Sequence, residues 1–245
     1  WKKLEKYHRS VRERSIGGLF QNDPDRFSKM NLTLPGLLVD FSKTNLDSEG
    51  LRLLVELARA QNVEGWRDRM FAGAAINTTE NQPVLHTALR RPKNDLVTLA
   101  GRSIMPDIHA VLNQMRIFSE QIRSGAWLGY RGATPTDIVV IGIGGQEVGL
   151  HTAVRALGAF RHPGLRTHFV ANVDGDVIAP LLATLDPHRT LFMVSSKTFS
   201  TPETLTNANR AKAWLVSAGI PPSDLYRHMV ALSANPRSAE ILGVP

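Results

Sequence analysis

The spacing of hydrophobic positions changes near residue 131 and divides the chain into two parts. Before that position, apolar residues recur every three or four places, which is the spacing of one helical face. One such set contains Leu51, Leu54, Val55 and Ala58. Asp47 or Ser48 precedes this set and is of a residue type that caps helices. We therefore predict a mostly helical segment over residues 1–130, with a short strand at Leu37–Phe41.

The clearest helical stripe follows Pro106. Its apolar members share one helical face and are Ile108, Val111, Leu112, Met115, Phe118 and Ile122. Gly125 stands where the helix is predicted to end, because glycine commonly follows the last helical turn. Stripes of this kind usually face a hydrophobic core, and we interpret this one as core packing.

After residue 131, short apolar runs alternate with segments of helical spacing. The runs are rich in β-branched residues, as buried parallel strands are, and comprise Asp137–Ile143, Thr167–Val170, Thr190–Ser195 and His228–Leu232. The helical segments between them are Val148–Leu157, Ile178–Leu185 and Pro202–Val216. Such alternation implies right-handed crossovers and a parallel sheet. We predict an α/β fold in which a doubly wound parallel sheet, flanked by helices, follows the helical N-terminal segment.

Composition narrows the class of protein. The chain has 245 residues, of which 42% are hydrophobic, enough to form a substantial core. It contains no cysteine, which excludes disulfides and thiolate metal sites. No apolar run approaches the about 18 residues that a membrane span needs, and the first residues lack the apolar core of a signal peptide. These features fit a cytoplasmic protein with no membrane partner.

The charge balance is mildly basic, with 29 basic and 22 acidic residues and a net charge of +7. The basic residues are spread along the chain, and their tightest cluster is Arg90, Arg91 and Lys93. Short groups of this kind are more often a solvated surface than a nucleic-acid patch. We expect no nucleic-acid partner, although the net charge keeps that alternative open. A phosphorylated small molecule would also suit a mildly basic protein.

A glycine-rich loop, Gly142–Gly149, lies directly after the first predicted strand and before a helix. Glycines at such a place permit a sharp turn and let a ligand approach the backbone amides. The loop is not a dinucleotide fingerprint, because the third glycine of G-x-G-x-x-G would fall at Glu147. A tight strand-to-helix turn without a ligand explains the loop equally well.

A second loop, Ser195–Thr201, follows the third predicted strand and carries hydroxyls and Lys197. Thr201 is placed as a helix cap, with Pro202 as the first helical residue. Hydroxyls, amides, a lysine and the positive end of a helix together suit a phosphate dianion. The alternative is a hydroxyl-rich cap with a solvated lysine. We favour phosphate binding, because both loops follow strands and ligands of open α/β sheets bind at that edge.

Glu80 and His86 also invite an acid–base interpretation. Chemistry alone favours a structural role for both side chains. A threonine shortly before Glu80 could start a helix, and His86 could satisfy a neighbouring group.

Several sequence blocks together resemble the N-terminal portion of phosphoglucose isomerase. They occur in the order of that family and span nearly the whole chain: Leu19–Phe20, Asp23–Phe27, Asp40–Lys43, Ile76–Asn81, Val84–Arg90, Arg123–Gly125, Gly129–Tyr130, Ile141–Gly145, Asn172–Gly175, Ser196–Phe199, Glu203–Thr204 and Asn207–Ala208. The blocks TTEN…VLHTALR and SKTF…ET are specific, whereas IGIGG alone would not be.

The resemblance implies an isomerase that interconverts glucose 6-phosphate and fructose 6-phosphate in glycolysis and gluconeogenesis. It implies that residues 131–245 form an incomplete SIS-type α/β domain that binds phosphosugars. It assigns the phosphate to Ser196, Lys197, Thr198 and Thr201, and places the sugar near Gly145 and Gln146. This chain departs from the family at Gln146, where a serine is usual, at Glu147, where an aspartate is usual, and at Gln82, where an arginine is usual.

The resemblance also implies that the catalytic groups lie beyond this segment. In the family, the carboxylate base, the ring-opening histidine and lysine, and a charge-stabilising arginine all belong to the other half, so no catalytic residue is assigned here. We expect this chain alone to be inactive, the full-length parent to be an active homodimer, and neither to need a cofactor or metal. The alternative hypothesis is a non-catalytic SIS-type module that binds a sugar phosphate.

Overall fold

The helical periodicity of the N-terminal part is realised in the computed structural model, which describes residues 1–241 apart from the side chains of Gln146, Pro236 and Ile241. The chain falls into two units, residues 1–110 and a second unit that begins at Val111. The helices of the first unit are α1 (Lys2–Val11), α2 (Ile16–Asn22), α3 (Arg26–Lys29), α4 (Ser48–Ala60) and α5 (Val63–Phe71), with a 3₁₀ turn at His86–Arg90. Its strands are β1 (Asn31–Leu34), β2 (Leu37–Asp40), β3 (Thr98–Leu99) and β4 (Arg102–Ser103).

β1 and β2 form an antiparallel hairpin in which Leu34 pairs with Leu37. The predicted strand at Leu37–Phe41 is confirmed, whereas its partner β1 was missed. The connection is Pro35-Gly36, and Gly36 has φ +75°, the left-handed conformation that the third position of a type II turn requires. A Pro-Gly pair between leucines is therefore the sequence signal that identifies this hairpin.

Asp47 caps α4 and connects this helix to α1. It is one of the two residues, Asp47 and Ser48, that were predicted as the cap. Its Oδ1 accepts hydrogen bonds from the Gly50 amide and the Tyr7 hydroxyl, both at 2.9 Å, and its Oδ2 forms an ion pair with Arg14. Partial burial alone raises the pKa of Asp47, but the Gly50 amide, Arg14 and Tyr7 outweigh it and lower the pKa from 3.8 to about 2. The carboxylate is therefore stabilised in its ionised form in the folded chain.

This lowered pKa predicts an acid-sensitive contribution to stability. The contribution is complete above the unfolded pKa of 3.8 and is lost as the pH falls through about 2, because the unfolded chain takes up the proton first. In Asp47→Asn, whose amide oxygen still caps α4, the free energy of unfolding should depend less on pH between about pH 5 and about pH 2. Urea unfolding at several pH values measures this, with exposed Glu13→Gln as control. An unchanged pH dependence in Asp47→Asn would contradict the assignment.

The helix predicted after Pro106 is α6 (Met105–Ser124), and the boundary between the two units falls within it. Gly125 follows it with φ +75°, as expected of a helix end. The interpretation of its apolar stripe as core packing is wrong for three of its six members. Val111, Leu112 and Met115 are about half exposed among the described residues, and Ile122 is the stripe member that is buried. Periodicity identifies an amphipathic helix but does not identify what covers its apolar face.

The second unit contains a four-stranded sheet built from β5 (Asp137–Ile141), β6 (Arg166–Val170), β7 (Thr190–Ser195) and β8 (Met229–Leu232). The strands pair in parallel in the order β6-β5-β7-β8. The helices of this unit, after α6, are α7 (Gly145–Ala156), α8 (Gly175–Thr184), α9 (Pro202–Ser217) and α10 (Pro236–Ile241), and its 3₁₀ turns are Tyr130–Gly132, Gly158–Phe160, Pro187–Arg189 and Pro222–Arg227. The predicted α/β class, all four predicted strands and the parallel sheet are confirmed.

The core of the second unit lies between the sheet and α8 and α9. Phe192 and Val194 of β7 are fully buried, together with Leu215 of α9. The Phe192 ring meets the edge of Trp214 at a centroid distance of 5.9 Å and an angle of 84°. Because β7 has a strand on each side, Phe192 and Val194 are enclosed between the sheet and the helices, and they anchor α9.

A buried histidine joins the amino end of the sheet to the segment after α6. The Nδ1 of His228 lies 2.9 Å from the Thr190 carbonyl oxygen, and its Nε2 lies 2.8 Å from the Tyr130 amide nitrogen. Nε2 must accept from that amide, so Nδ1 carries the proton and the ring is neutral. Burial lowers the pKa of His228, which agrees with a neutral ring. Gly129 packs directly against it: a Cβ there would lie 2.7 Å from His228 Cε1.

Candidate functional site

The strand order places a topological switch point between β5 and β7. From β5 the chain continues to β6, which lies on one side of β5. The next strand, β7, lies on the opposite side of β5. Connections that leave in opposite directions open a crevice at the carboxyl ends of such strands, where ligands of open α/β sheets bind. Ile141 and Val194 are register partners at those ends. The two loops singled out in the sequence therefore begin on either side of the crevice.

Direct packing confirms that the two loops are neighbours. A Cβ at Gly142 would lie 3.3 Å from the carbonyl oxygen of Ser195 and 3.5 Å from its Cβ. A larger residue at position 142 would therefore press on the start of the second loop. Glycine at this position lets the two strand ends approach closely.

The glycine-rich loop turns sharply at Gly144, which has φ +73° and ψ −148° and caps α7. This backbone conformation is essentially restricted to glycine. Gly145, a predicted sugar contact, is the first residue of α7, while the side chain of Gln146 lies outside the described residues. Glu147 is buried, and its Oε1 lies 3.0 Å from His151 Nδ1. These contacts fix the first turn of α7 behind the loop.

The second loop, named here the Ser-Lys-Thr loop (Ser195–Thr201), folds around the hydroxyl of Ser196. That hydroxyl accepts from the Phe199 amide at 3.1 Å and lies 3.3 Å from Thr201 Oγ1. The Thr198 and Ser200 hydroxyls lie 2.7 Å apart. Ser196 is buried, whereas Lys197 and Thr198 are exposed. The loop therefore presents a lysine and a hydroxyl to solvent from an internally bonded backbone.

The amino end of α9 closes this loop. Thr201 is the N-cap and Pro202 the first helical residue, as predicted, but the Thr201 side chain makes no capping hydrogen bond. Thr201 Oγ1 lies near Ser196 instead. Amides in the first turn of a helix carry partial positive charge, and without a side-chain cap they remain available to an anion. Thr204, in this turn, has a buried hydroxyl with no hydrogen-bond partner among the described residues.

The structure thus gathers five of the six predicted site residues at the carboxyl edge of the sheet: Gly145 at the start of α7, and Ser196, Lys197, Thr198 and Thr201 on the Ser-Lys-Thr loop. Their ligand contacts stay a prediction. Sequence reasoning missed a third loop at this edge, Ser233–Asn235, which follows β8 and contacts the Ser-Lys-Thr loop. Its signal was the Ser-Ala-Asn-Pro run after the fourth strand, a composition typical of turns.

Glu80 and His86 lie in the first unit. Asn77 and Gln82 pair as a β-bridge, and Glu80 Oε2 accepts from Asn77 Nδ2 at 2.9 Å within the enclosed turn. The suggestion that a threonine before Glu80 starts a helix is wrong, because the segment closes as a turn. His86 begins a 3₁₀ turn that ends at Arg90.

Among residues 1–241, no group of three or more histidine and acidic side chains is arranged to hold a metal ion. Within the same residues, no helix combines the length and the apolar character needed to cross a membrane.

Comparisons with known proteins give consistent matches. A family model described as phosphoglucose isomerase matches residues 40–245. The chain is 44% identical over 244 residues to glucose-6-phosphate isomerase 2 of Chromobacterium violaceum, and 43% identical over 244 residues to the glucose-6-phosphate isomerase of Deinococcus radiodurans. These alignments cover 100% of this chain but 44% and 45% of the two relatives. The chain therefore spans less than half the length of the curated relatives it matches.

A solved structure shows the same fold. The crystal structure of a glucose-6-phosphate isomerase from Chlamydia trachomatis superposes with a TM-score of 0.75 at 24% sequence identity. The superposition covers 91% of this chain and 42% of that one.

Proposed function

Because the chain belongs to the phosphoglucose isomerase family, we propose that it forms the phosphosugar-binding portion of an enzyme that interconverts glucose 6-phosphate and fructose 6-phosphate. The family match confirms the resemblance drawn from the sequence motifs. The coverage of less than half of each relative agrees with a chain that corresponds to part of such an isomerase.

The observation that carries the proposal is the meeting of two ligand-type loops at the switch point of the sheet. Gly142 contacts Ser195 across the crevice, so a molecule bound on the Ser-Lys-Thr loop would lie beside the glycine-rich loop. The amino end of α9, which has no side-chain capping hydrogen bond, supplies backbone amides at the same place. A phosphate dianion is the ligand that this set of groups suits best.

We assign binding and orientation, rather than proton transfer, to this chain. Ser196, Lys197, Thr198 and Thr201 would hold the phosphate, and Gly145 and Gln146 would lie beside the sugar. Isomerisation also needs ring opening and a base that moves a proton between C2 and C1 through an enediolate. The resemblance places those groups in the part of the family that this chain does not match. The proposal includes no metal or organic cofactor.

The wider assignments follow the same proposal. Residues 131–245 would be the SIS-type domain, and residues 1–130 a helical segment that precedes it. The full-length parent would act as a cytoplasmic homodimer in glycolysis and gluconeogenesis. A nucleic-acid role is not proposed, because several exposed arginines are already paired with neighbouring carboxylates, as Arg52 is with Glu49 and Arg116 with Glu120.

The test is a calorimetric titration of the chain with fructose 6-phosphate. We expect Lys197→Ala to weaken binding by about tenfold or more, because a charge-assisted contact to the phosphate would be lost. The titration should show heats of binding without continued heat from turnover, since the chain alone is expected to be inactive.

Lys93→Ala is the matched control, because Lys93 is an exposed lysine of the first unit. It should bind as the unchanged chain does. Equal affinities for the unchanged chain and Lys197→Ala would contradict the assignment of the phosphate to the Ser-Lys-Thr loop. Absence of binding by a folded, unchanged chain would contradict the proposal that this portion binds the sugar phosphate by itself.

A further inference from the structure

The loop after β8 is hydrogen-bonded to the backbone of the Ser-Lys-Thr loop. The Ser233 hydroxyl and the Ala234 amide both donate to the Lys197 carbonyl oxygen, each at 3.1 Å. Asn235 Nδ2 donates to the Thr198 carbonyl oxygen at 3.3 Å. Ser233 Oγ in turn accepts from the Asn235 amide at 3.0 Å, so the loop is internally bonded as well. We name residues Ser233–Asn235 the clamp.

The clamp determines the direction of two peptide groups. In a trans peptide, the N–H points opposite to the C=O of the preceding residue. Because the Lys197 carbonyl points at the clamp, the Thr198 amide points away from it. Because the Thr198 carbonyl also points at the clamp, the Phe199 amide is directed to Ser196 Oγ, where it donates at 3.1 Å. The clamp thus binds the loop's carbonyl oxygens, which would repel an anion, and leaves an amide facing the other way.

The same contacts maintain an unfavourable backbone conformation. Phe199 has φ +55°, a left-handed conformation that is uncommon and unfavourable for a residue other than glycine. The conformation is held from both sides, by burial of the Phe199 side chain and by the hydrogen bond to the carbonyl that precedes it. Strained residues persist where the surroundings fix them, and they concentrate at ligand sites.

We propose that Ser233 and Asn235 are positioning residues that hold the Lys197–Phe199 backbone in the orientation that binds phosphate. The proposal rests on the proposed function for its ligand, whereas the hydrogen bonds that set the orientation are made within the chain. Neither side chain is assigned a contact with the sugar phosphate. They act through the carbonyl oxygens of Lys197 and Thr198.

The experiment combines fructose 6-phosphate titration with amide NMR of the chain without ligand. Asn235→Ala and Ser233→Ala should each weaken the affinity by about threefold to tenfold, the effect of losing one or two ordinary hydrogen bonds. Ser233→Thr, which keeps the hydroxyl, should restore it. Without ligand, both alanine variants should shift the amide resonances of Thr198 and Phe199. Asn31→Ala is the matched control, because its Nδ2 also donates to a backbone carbonyl, that of Phe27, but in the first unit.

The two measurements separate failure of the clamp from failure of the proposed function. If the unchanged chain binds and the alanine variants bind equally well, the positioning role is overturned. If the unchanged chain does not bind, the proposed function fails for this chain, and the amide resonances decide on the clamp. If the Thr198 and Phe199 resonances do not move in Asn235→Ala, the clamp is overturned. If these resonances move in Asn235→Ala but not in Asn31→Ala, the clamp is supported.

Discussion

Replacing Phe192 by alanine is expected to lower the free energy of unfolding by about 3–5 kcal/mol, a large part of the stability of a domain of this size. Phe192 is fully buried in the central strand β7 and packs edge-on against Trp214. Its removal would lose both the transfer free energy of the ring and the contacts that the resulting cavity cannot recover. Urea unfolding followed by circular dichroism and tryptophan fluorescence measures the effect.

Phe160→Ala provides the matched control, since the Phe160 side chain is 79% exposed. It should change the stability by no more than about 0.5 kcal/mol. If the two variants differ by less than about 1 kcal/mol, the ring of Phe192 is not in the core described here.

The second large effect is expected at Gly129, where alanine should cost about 2–4 kcal/mol. The backbone of Gly129 has φ −70° and ψ −177°, which any residue adopts, so the cost is steric rather than conformational. The new Cβ would lie 2.7 Å from His228 Cε1 and 3.0 Å from the His188 carbonyl oxygen. The His228 ring cannot retreat without breaking its hydrogen bonds to Thr190 and Tyr130.

A double-mutant cycle tests this explanation. In a His228→Ala background the clash with the ring is gone, so Gly129→Ala should cost distinctly less than in the unchanged chain. Gly158→Ala is the control, because a Cβ there would meet nothing within 4 Å. Strict additivity of the Gly129 and His228 substitutions would contradict the proposed contact.

The sheet of the second unit was predictable because its strands are short, β-branched and separated by helical spacing. Thr190–Ser195 illustrates this: the predicted and observed bounds are identical. Helix α7 was less predictable at its start. It was expected from Val148 but begins at Gly145, because a glycine cap at Gly144 gives no periodic apolar signal before the first turn.

The order of the strands could not be obtained from the sequence, since it depends on which strands pair. The loops after β5 and β7 could be placed at one edge of the sheet, but their adjacency across a switch point needed the observed order. The clamp was hidden for a related reason. Ser233 and Asn235 act on Lys197 and Thr198 through backbone carbonyls about thirty-six residues away in the chain, and such contacts leave no local pattern.

The same order of strands bears on how the second unit folds. β5 leaves the ribosome first but lies inside the sheet, so it stays without a partner until β6 and then β7 have been made. Its pairing with β7 brings Asp137 next to Thr190 and closes the long loop between them. This closure costs conformational entropy before the burial of the strands stabilises the pairing. The apolar segment Ile138–Ile141 is therefore prone to association with other chains while it is unpaired. The pairing of β8 beside the start of the Ser-Lys-Thr loop forms only after β7 has been made.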